Sequence, residues 1–271
     1  MNRDARKIAV CFFGITRSLR HTIASIEENV LAPARLCGEV KIYAHFFRQK
    51  EIDNPRSGEV GELDTEEYRL LNPDWLQLEE PDTCLSRWNF EAIKGYGDHY
   101  YWNDGFRSMR NLMHQLHSLH EATGAVLADD ADLCLFCRPD LRYHDSLGRH
   151  IQRGTKARHD LVQVPYWQPW HGLNDRFAIV TGREAIAAYG QRILLAQEFC
   201  QLGPQPLHAE SLLKYAISKA GVRVKKFPER ASRVRLDGTQ AREIFNYPGT
   251  WKYRQKYGIN FDRIMRVISR L

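Results

Sequence analysis

The 271-residue sequence has no apolar run near the ~20 residues that a membrane-spanning helix needs, because Lys, Arg, Asp or Glu interrupts each one. A spanning helix is excluded. It has no internal repeat and no low-complexity tract. It lacks zinc-finger spacing, an RNP-type strand and a basic heptad region, so nucleic acid is not an expected partner. The block from Ile8 to Phe13 is too short for a signal-peptide core and is stopped by Gly14 and Arg17, so a cytoplasmic protein is expected. Cysteine is sparse. The six residues, Cys11, Cys37, Cys84, Cys134, Cys137 and Cys200, are spread along a chain large enough to need no disulfide staples, and they read as reduced core thiols. Cys134 and Cys137 are the one close pair, but residues i and i+3 of a strand face opposite ways and cannot share a metal.

What is present is an ordinary globular mixture, 43% apolar and 27% charged, with a net charge of +6. The charge is uneven. From Lys219 to Leu271 there are 14 Lys and Arg against 4 Asp and Glu, so this tail carries +10 and the remainder −4. A basic tail of this kind reads first as a solvated face, and as a functional feature it suits attraction to polyanions or peripheral contact with an anionic inner membrane face.

Ile8-Ala-Val-Cys-Phe-Phe13 is a short apolar run ended by Gly14, the pattern of a buried strand. Ser18 then opens a helix to about Val30, with Ile23, Ile26 and Val30 on one face and Pro33 ending it. Val40 to Phe47 is a second strand, which makes a βαβ unit and predicts parallel pairing. Residues 48–65 carry Pro, Gly and charge without a period and read as a long loop. Trp75 to Leu78 is a short strand, and Trp88 to Trp102 has no clean period. From Asp104 to Ala122, Met109, Leu112, Met113, Leu116 and Leu119 fall at helical spacing, and Gly124 closes the helix. Its histidines, His114, His117 and His120, read as a solvated flank. Residues 132–137, 161–164, 177–180 and 222–227 are further strands, with helices at about 183–199 and 208–219. The class is α/β, a mostly parallel central sheet flanked by helices.

Ligands of open α/β sheets bind beyond the carboxyl ends of the strands, so the residues after each apolar run are the candidates. After the first come Gly14, which allows close backbone approach, Arg17, which pairs with phosphate, and Ser18, which opens a helix whose N-terminus favours an anion. This is not a Walker A loop, since the Gly-Lys-Ser/Thr ending is missing. After the central run comes Arg138-Pro-Asp140, where a carboxylate can hold a divalent cation on a diphosphate and the arginine shares the charge. The bland alternative is an internal ion pair. Asp130 and Asp132 have the Asp-x-Asp spacing used for metal diphosphates, but four apolar residues lead into that cluster against five into Arg138. Asp175, close after Trp167, Trp170 and His171, is a candidate general base in a setting suited to sugar rings. Glu210 in His208-Ala-Glu210 is the other, and equally the third residue of a helix start.

Val10 to Arg17, Tyr43 to Phe46, Arg138 to Leu141, Asn174 to Ile179 and His208 to Glu210 together resemble bacterial glycosyltransferases of the GT-A, nucleotide-diphospho-sugar transferase type, found among enzymes that build surface polysaccharides. The resemblance covers most of the chain in order. It implies one GT-A-like domain over 1–271, in which about 1–141 bind the nucleotide-sugar donor and about 142–271 bind a glycan or lipid-linked acceptor. The departure is Arg138-Pro-Asp140 where that family places Asp-x-Asp. Either Asp140 holds Mn²⁺ or Mg²⁺ with help from His208, or Arg138 supplies the charge instead. Two further readings stand beside it. Gly14 to Ser18 followed by a helix looks like a sulfotransferase donor loop, although Leu19 and Arg20 stand where that loop has Gly-Thr. A carbohydrate-binding protein that kept the fold without the chemistry is the other.

Overall fold

Apolar runs set the strands, and the order in which they join sets the position of the site. The computed structural model describes residues 6–54, 57–99, 103–203 and 205–246. Its strands are β1 (Lys7–Gly14), β2 (Glu39–Phe47), β3 (Glu51–Asn54), β4 (Glu59–Glu62), β5 (Trp75–Glu79), β6 (Leu133–Cys137), β7 (Leu141–Tyr143), β8 (Leu161–Pro165), β9 (Ala178–Thr181), β10 (Arg223–Phe227) and β11 (Ala231–Arg233). The helices are α1 (Leu19–Ile26), α2 (Ala32–Arg35), α3 (Phe90–Lys94), α4 (Arg107–Ala128), α5 (Gly148–Thr155), α6 (Arg183–Gly190), α7 (Ala196–Gln201) and α8 (Ala209–Lys219).

Seven strands form one sheet in the order β10-β8-β9-β6-β1-β2-β5. β9 runs antiparallel to β6 and β8, and the other neighbours are parallel. The fold is α/β with a mostly parallel central sheet flanked by helices. Strand alternation divides the core between the two faces. Ile8, Val10 and Phe12 of β1 pack with Leu19, Ile26 and Ile151 on one side. Ala9, Cys11 and Phe13 pack with Leu119, Ile186 and Leu213 on the other. Each such large buried side chain contributes about 1.5–3 kcal/mol. Cys137 lies in the first layer and Cys134 in the second, on opposite faces of β6.

The first helix does not end at Pro33. After α1 comes a π-helical turn, Glu27–Leu31, and Pro33 falls in the first turn of α2. A proline ring clashes with the carbonyl four residues back, here Asn29, and the wider turn is the local way round it. That carbonyl accepts from the Leu147 N–H at 3.0 Å instead. Residues 48–65 are not all loop, since β3 and β4 pair there as an antiparallel hairpin. Gly124 does not close α4, which runs on to Ala128 because Val126, fully buried, is held in the core beside β1 and β6.

Candidate active site

The chain leaves β1 for β2 and β5 on one side, then returns through α4 to β6 on the other side of β1. A reversal of strand order opens a crevice between the two loops that follow, and α/β sheets bind ligands there. A cavity of about 720 Å³ lies at this point, lined by Gly14, Arg17, Arg138, Asp140, Asp175, His208 and Glu210 among others. Loops after β1, β6 and β8 and the start of α8 thus bring together candidates read from separate parts of the sequence. Ser18 is the exception. It is fully buried, and its hydroxyl donates to the Val234 carbonyl at 3.0 Å.

The wall of the cavity is built from shared carboxylates. Asp140 accepts from Arg138 Nε at 2.9 Å, Arg138 Nη2 at 2.8 Å and Arg17 Nη2 at 2.6 Å. Burial alone would raise its carboxyl, but Arg138 and Arg17 outweigh this and hold it far below the usual carboxylate range. Arg17 also reaches Glu59 on β4 at 3.3 Å, and Glu59 accepts from Arg235 at 2.7 Å. Elsewhere in the cavity lining Glu243 takes Arg176 at 2.6 Å and Arg233 at 3.0 Å. Burial pushes Glu243 up, and the two guanidiniums bring it down to about 2. Within these two networks the arginines outnumber the carboxylates, three to two and two to one, while Asp53, Asp175 and Glu210 bring further carboxylates to the same cavity.

The N-terminus of α1 is not open to a phosphate. Glu67 accepts from the Leu19 N–H at 3.0 Å and the Arg20 N–H at 2.9 Å, so an internal carboxylate already fills the place an anion would take. The Gly14 N–H is used as well, by Ser118 Oγ at 2.7 Å. Both observations remove the basis for a sulfotransferase-type donor loop at Gly14 to Ser18. They leave Arg17 and the open space beside Gly14, where no atom lies within 4 Å of a Cβ position, as what this turn offers a ligand.

A divalent cation on Asp140 does not fit. Both of its oxygens are engaged by two guanidiniums, and a cation placed there would face theirs. Asp140 and His208 share the cavity wall, but neither belongs to a set of three ligand groups close enough to hold an ion among the described residues. The alternative pair is also displaced. Asp130 and Asp132 sit at the amino end of β6, where Asp132 accepts from the Lys7 N–H at 2.9 Å and Asp130 pairs with Arg183 at 2.7 Å.

Asp175 and Glu210 line the same cavity, and Gln115 bridges Asp175 to Arg138 at 3.4 and 3.2 Å. Asp175 is 7% exposed, and its Oδ2 lies 3.4 Å from Gln115 Nε2 and 3.9 Å from Arg192 Nη2. Glu210 Oε2 is 3.3 Å from His208 Nε2, whose ring stacks on His99 with centroids 4.9 Å apart. The loop carrying Trp170 and His171 is fastened to α8 here. The Leu173 N–H donates to the Glu210 carbonyl at 3.0 Å, and a Cβ on Gly172 would fall 1.8 Å from that oxygen. Trp170 and His171 both have positive φ, 36° and 73°, in the sharp turn above it.

Glu59, Arg176, Arg233, Arg235 and Glu243 are site residues that the sequence reading missed. The alternation of Arg233 and Arg235 was the available signal, hidden inside a tail read only for net charge. The histidines of α4 need a correction too. His117 is 1% exposed, not solvated, because Trp88 and Phe47 cover it.

No family model matches the chain, and no curated protein matches it. Solved structures do. One is of a protein assigned as a nucleotide-diphospho-sugar transferase from Desulfovibrio desulfuricans, at 9% identity and a TM-score of 0.42, covering 82% of this chain and 80% of the other. Another is mouse xyloside xylosyltransferase 1 in its apo form, at 10% identity and a TM-score of 0.42, covering 82% and 85%. At these values neither likeness identifies the chain.

Proposed function

We propose that the chain is a glycosyltransferase that binds a nucleotide-diphospho-sugar in the switch-point cavity and passes the sugar to a hydroxyl of a glycan or lipid-linked glycan of a surface polysaccharide. The observation that carries this reading is the gathering of arginines at the switch-point cavity, Arg17 and Arg138 after β1 and β6 with Arg176, Arg233 and Arg235 from elsewhere in the chain. Arg138, Arg17 and Arg235 share Asp140 and Glu59, while Arg176 and Arg233 share Glu243. Guanidinium groups match phosphate oxygens in geometry and charge, so a diphosphate suits this wall. The GT-A resemblance of the sequence supports the same ligand. In this reading residues 1–141 bind the donor and 142–271 shape the acceptor side.

The acceptor oxygen bonds to the anomeric carbon while the bond from that carbon to the diphosphate breaks and leaves its electron pair on the diphosphate. Arg17 and Arg138 stabilise the departing charge, a role that arginine clamps and Mg²⁺ can share in other sites. Asp175 or Glu210 takes the acceptor proton, and the cavity contributes orientation. Among the described residues no helix is long and apolar enough to cross a membrane. The basic tail would bring the enzyme to a lipid-linked acceptor, although residues 247–271 lie outside the described residues. Flotation with anionic liposomes at rising salt tests that contact.

The first test of the whole reading is a thermal-shift screen of UDP, GDP, CMP, dTDP and adenosine 3′,5′-bisphosphate, each with and without Mn²⁺. A rise with one nucleoside diphosphate, unchanged by Mn²⁺, is expected. A rise with adenosine 3′,5′-bisphosphate alone returns the sulfotransferase, and no rise at all favours a non-catalytic carbohydrate-binding protein.

A further inference from the structure

A second cluster of chemical groups lies outside the cavity, where β2, β5 and α4 meet. His45, Glu79 and His117 each bring one ligand atom within 4.8 Å of the others. His45 Nε2 is 3.3 Å from Glu79 Oε1, and His117 Nε2 is 2.8 Å from Glu79 Oε2. The two imidazoles are buried, and Glu79 is exposed enough, at 25% of its side chain, to leave an entry from solvent.

The hydrogen bonds around His45 determine which of its nitrogens carries the proton. Ser118 Oγ lies 2.6 Å from the His45 carbonyl oxygen, a contact that only the serine proton can make. With its one proton used there, Ser118 Oγ accepts from the Gly14 N–H at 2.7 Å and also from His45 Nδ1 at 3.0 Å. Neutral His45 therefore keeps its proton on Nδ1 and turns a bare lone pair at Nε2. That atom is buried without a hydrogen-bond partner, and it faces a carboxylate oxygen, so two electron-rich atoms look at one another. A cation between the two groups resolves it.

We propose that His45 Nε2, the Glu79 carboxylate and His117 Nε2 bind a zinc ion, with solvent as the fourth ligand. Two imidazoles and one carboxylate are the donors of a borderline-soft ion, whereas Mg²⁺ and Mn²⁺ favour oxygen. The site is independent of the glycosyltransferase reading. It has a built-in tautomer change at His117. The Trp88 indole N–H, which can only donate, now points at His117 Nδ1 from 3.0 Å, so the His117 proton sits on Nε2 and reaches Glu79. Zinc needs that Nε2 lone pair, and the proton moves to Nδ1. Trp88 must then let go, and the Glu121 carboxylate, 3.8 Å from Nδ1, becomes the acceptor. A carboxylate, histidine and zinc in line is the usual arrangement of a second partner behind a zinc ligand. Through Ser118 the ion would also steady the Gly14 turn at the lip of the cavity.

The test is ZnCl₂ titrated into the metal-stripped full chain, read by bound metal per chain, melting temperature and tryptophan fluorescence. One zinc per chain, a higher melting temperature and a fluorescence change that Trp88→Phe abolishes without abolishing binding are expected. Glu79→Gln, which keeps the volume and sits at the open edge, should weaken zinc at least tenfold, and Glu121→Gln about tenfold. Mg²⁺ and Mn²⁺ should produce no comparable rise. The proposal fails if the stripped wild-type chain takes up no zinc, or if Glu79→Gln binds it unchanged. It also fails if acidification to about pH 5 raises the melting temperature as zinc does, because a proton on His45 would then be the cation.

Discussion

Arg17 and Asp140, separated by 123 positions, meet at 2.6 Å between the loops that follow β1 and β6, with side chains 8% and 5% exposed. The pair lies in the wall of the cavity and ties the loop after β1 to the loop after β6 at the switch point. Removing one member of a buried ion pair leaves the other charge unpaired in a poor solvent, at a cost of about 3–5 kcal/mol. Asp140→Asn strands two guanidiniums, Arg17 and Arg138. Urea denaturation of this variant should give a loss in that range. A loss below about 1 kcal/mol would mean that the network is not what holds these loops together, and would make Asp140 a clean probe of turnover.

Gly172→Ala should loosen the rim without touching a charged group. A Cβ there would overlap the Glu210 carbonyl oxygen at 1.8 Å and the Ser211 nitrogen at 2.6 Å, both backbone atoms that cannot rotate away. The loop with Trp170 and His171 must lift from α8, at about 1–3 kcal/mol by analogy with other overpacked sites. Differential scanning calorimetry should record a lower melting temperature, and any ligand that uses Trp170 and Glu210 together should bind more weakly. An unchanged melting temperature would show that the loop has room to shift.

Most strands of the sheet were legible as short apolar runs, β6, buried at all five positions, being a plain case, whereas the edge strand β10, Arg-Val-Lys-Lys-Phe, is exposed at four of five positions. β3 and β4 were not, since Glu51–Asn54 and Glu59–Glu62 are polar, short and paired only with each other. Arg17, Arg138 and Asp140 could be found because they follow apolar runs, where the topology gathers ligands, whereas Asp175 and Glu210 were read from their neighbours, Trp167, Trp170 and His171 for the one and His208 for the other. Glu59, Glu67 and Glu243 could not, because each acts by closing on an arginine or a helix end far away in sequence. Glu67 is the clearest case. An N-cap signal at Ser18 promised an open anion site, and only the fold reveals that a carboxylate 48 positions from Leu19 fills it.

Acid should destabilise the protein in two stages. His45, His114 and His150 have folded pKa values pushed below the ordinary imidazole value, mainly by burial. The unfolded chain then binds more protons, so stability is full above about pH 6.5 and falls as pH drops below it. Glu243, at about 2, and Asp140, lower still, have the same sign, and their contribution is present above about pH 4.5 and lost as pH falls toward 2. Unfolding free energies measured from pH 8 to pH 3, with a chelator present, should decline first below pH 6.5 and more steeply below pH 4.5. A maximum near pH 5 would contradict the histidine stage.

Asp175 and Glu210 are distinguished by what else holds them. Asp175 faces Gln115 and Arg192 through one oxygen, so an amide in its place keeps those neighbours and the shape of the wall. Glu210 faces His208 Nε2 at 3.3 Å, which gives it a partner able to receive a proton onward. If one of them is the base for an acceptor hydroxyl, Asp175→Asn or Glu210→Gln should lower kcat by about 10²–10⁴, while nucleotide-induced stabilisation stays. The variant of the other carboxylate should change KM more than kcat, as expected of a group that only holds the acceptor. Equal and small losses from both substitutions would remove proton abstraction from the mechanism and leave orientation and charge stabilisation by the arginines as what drives transfer.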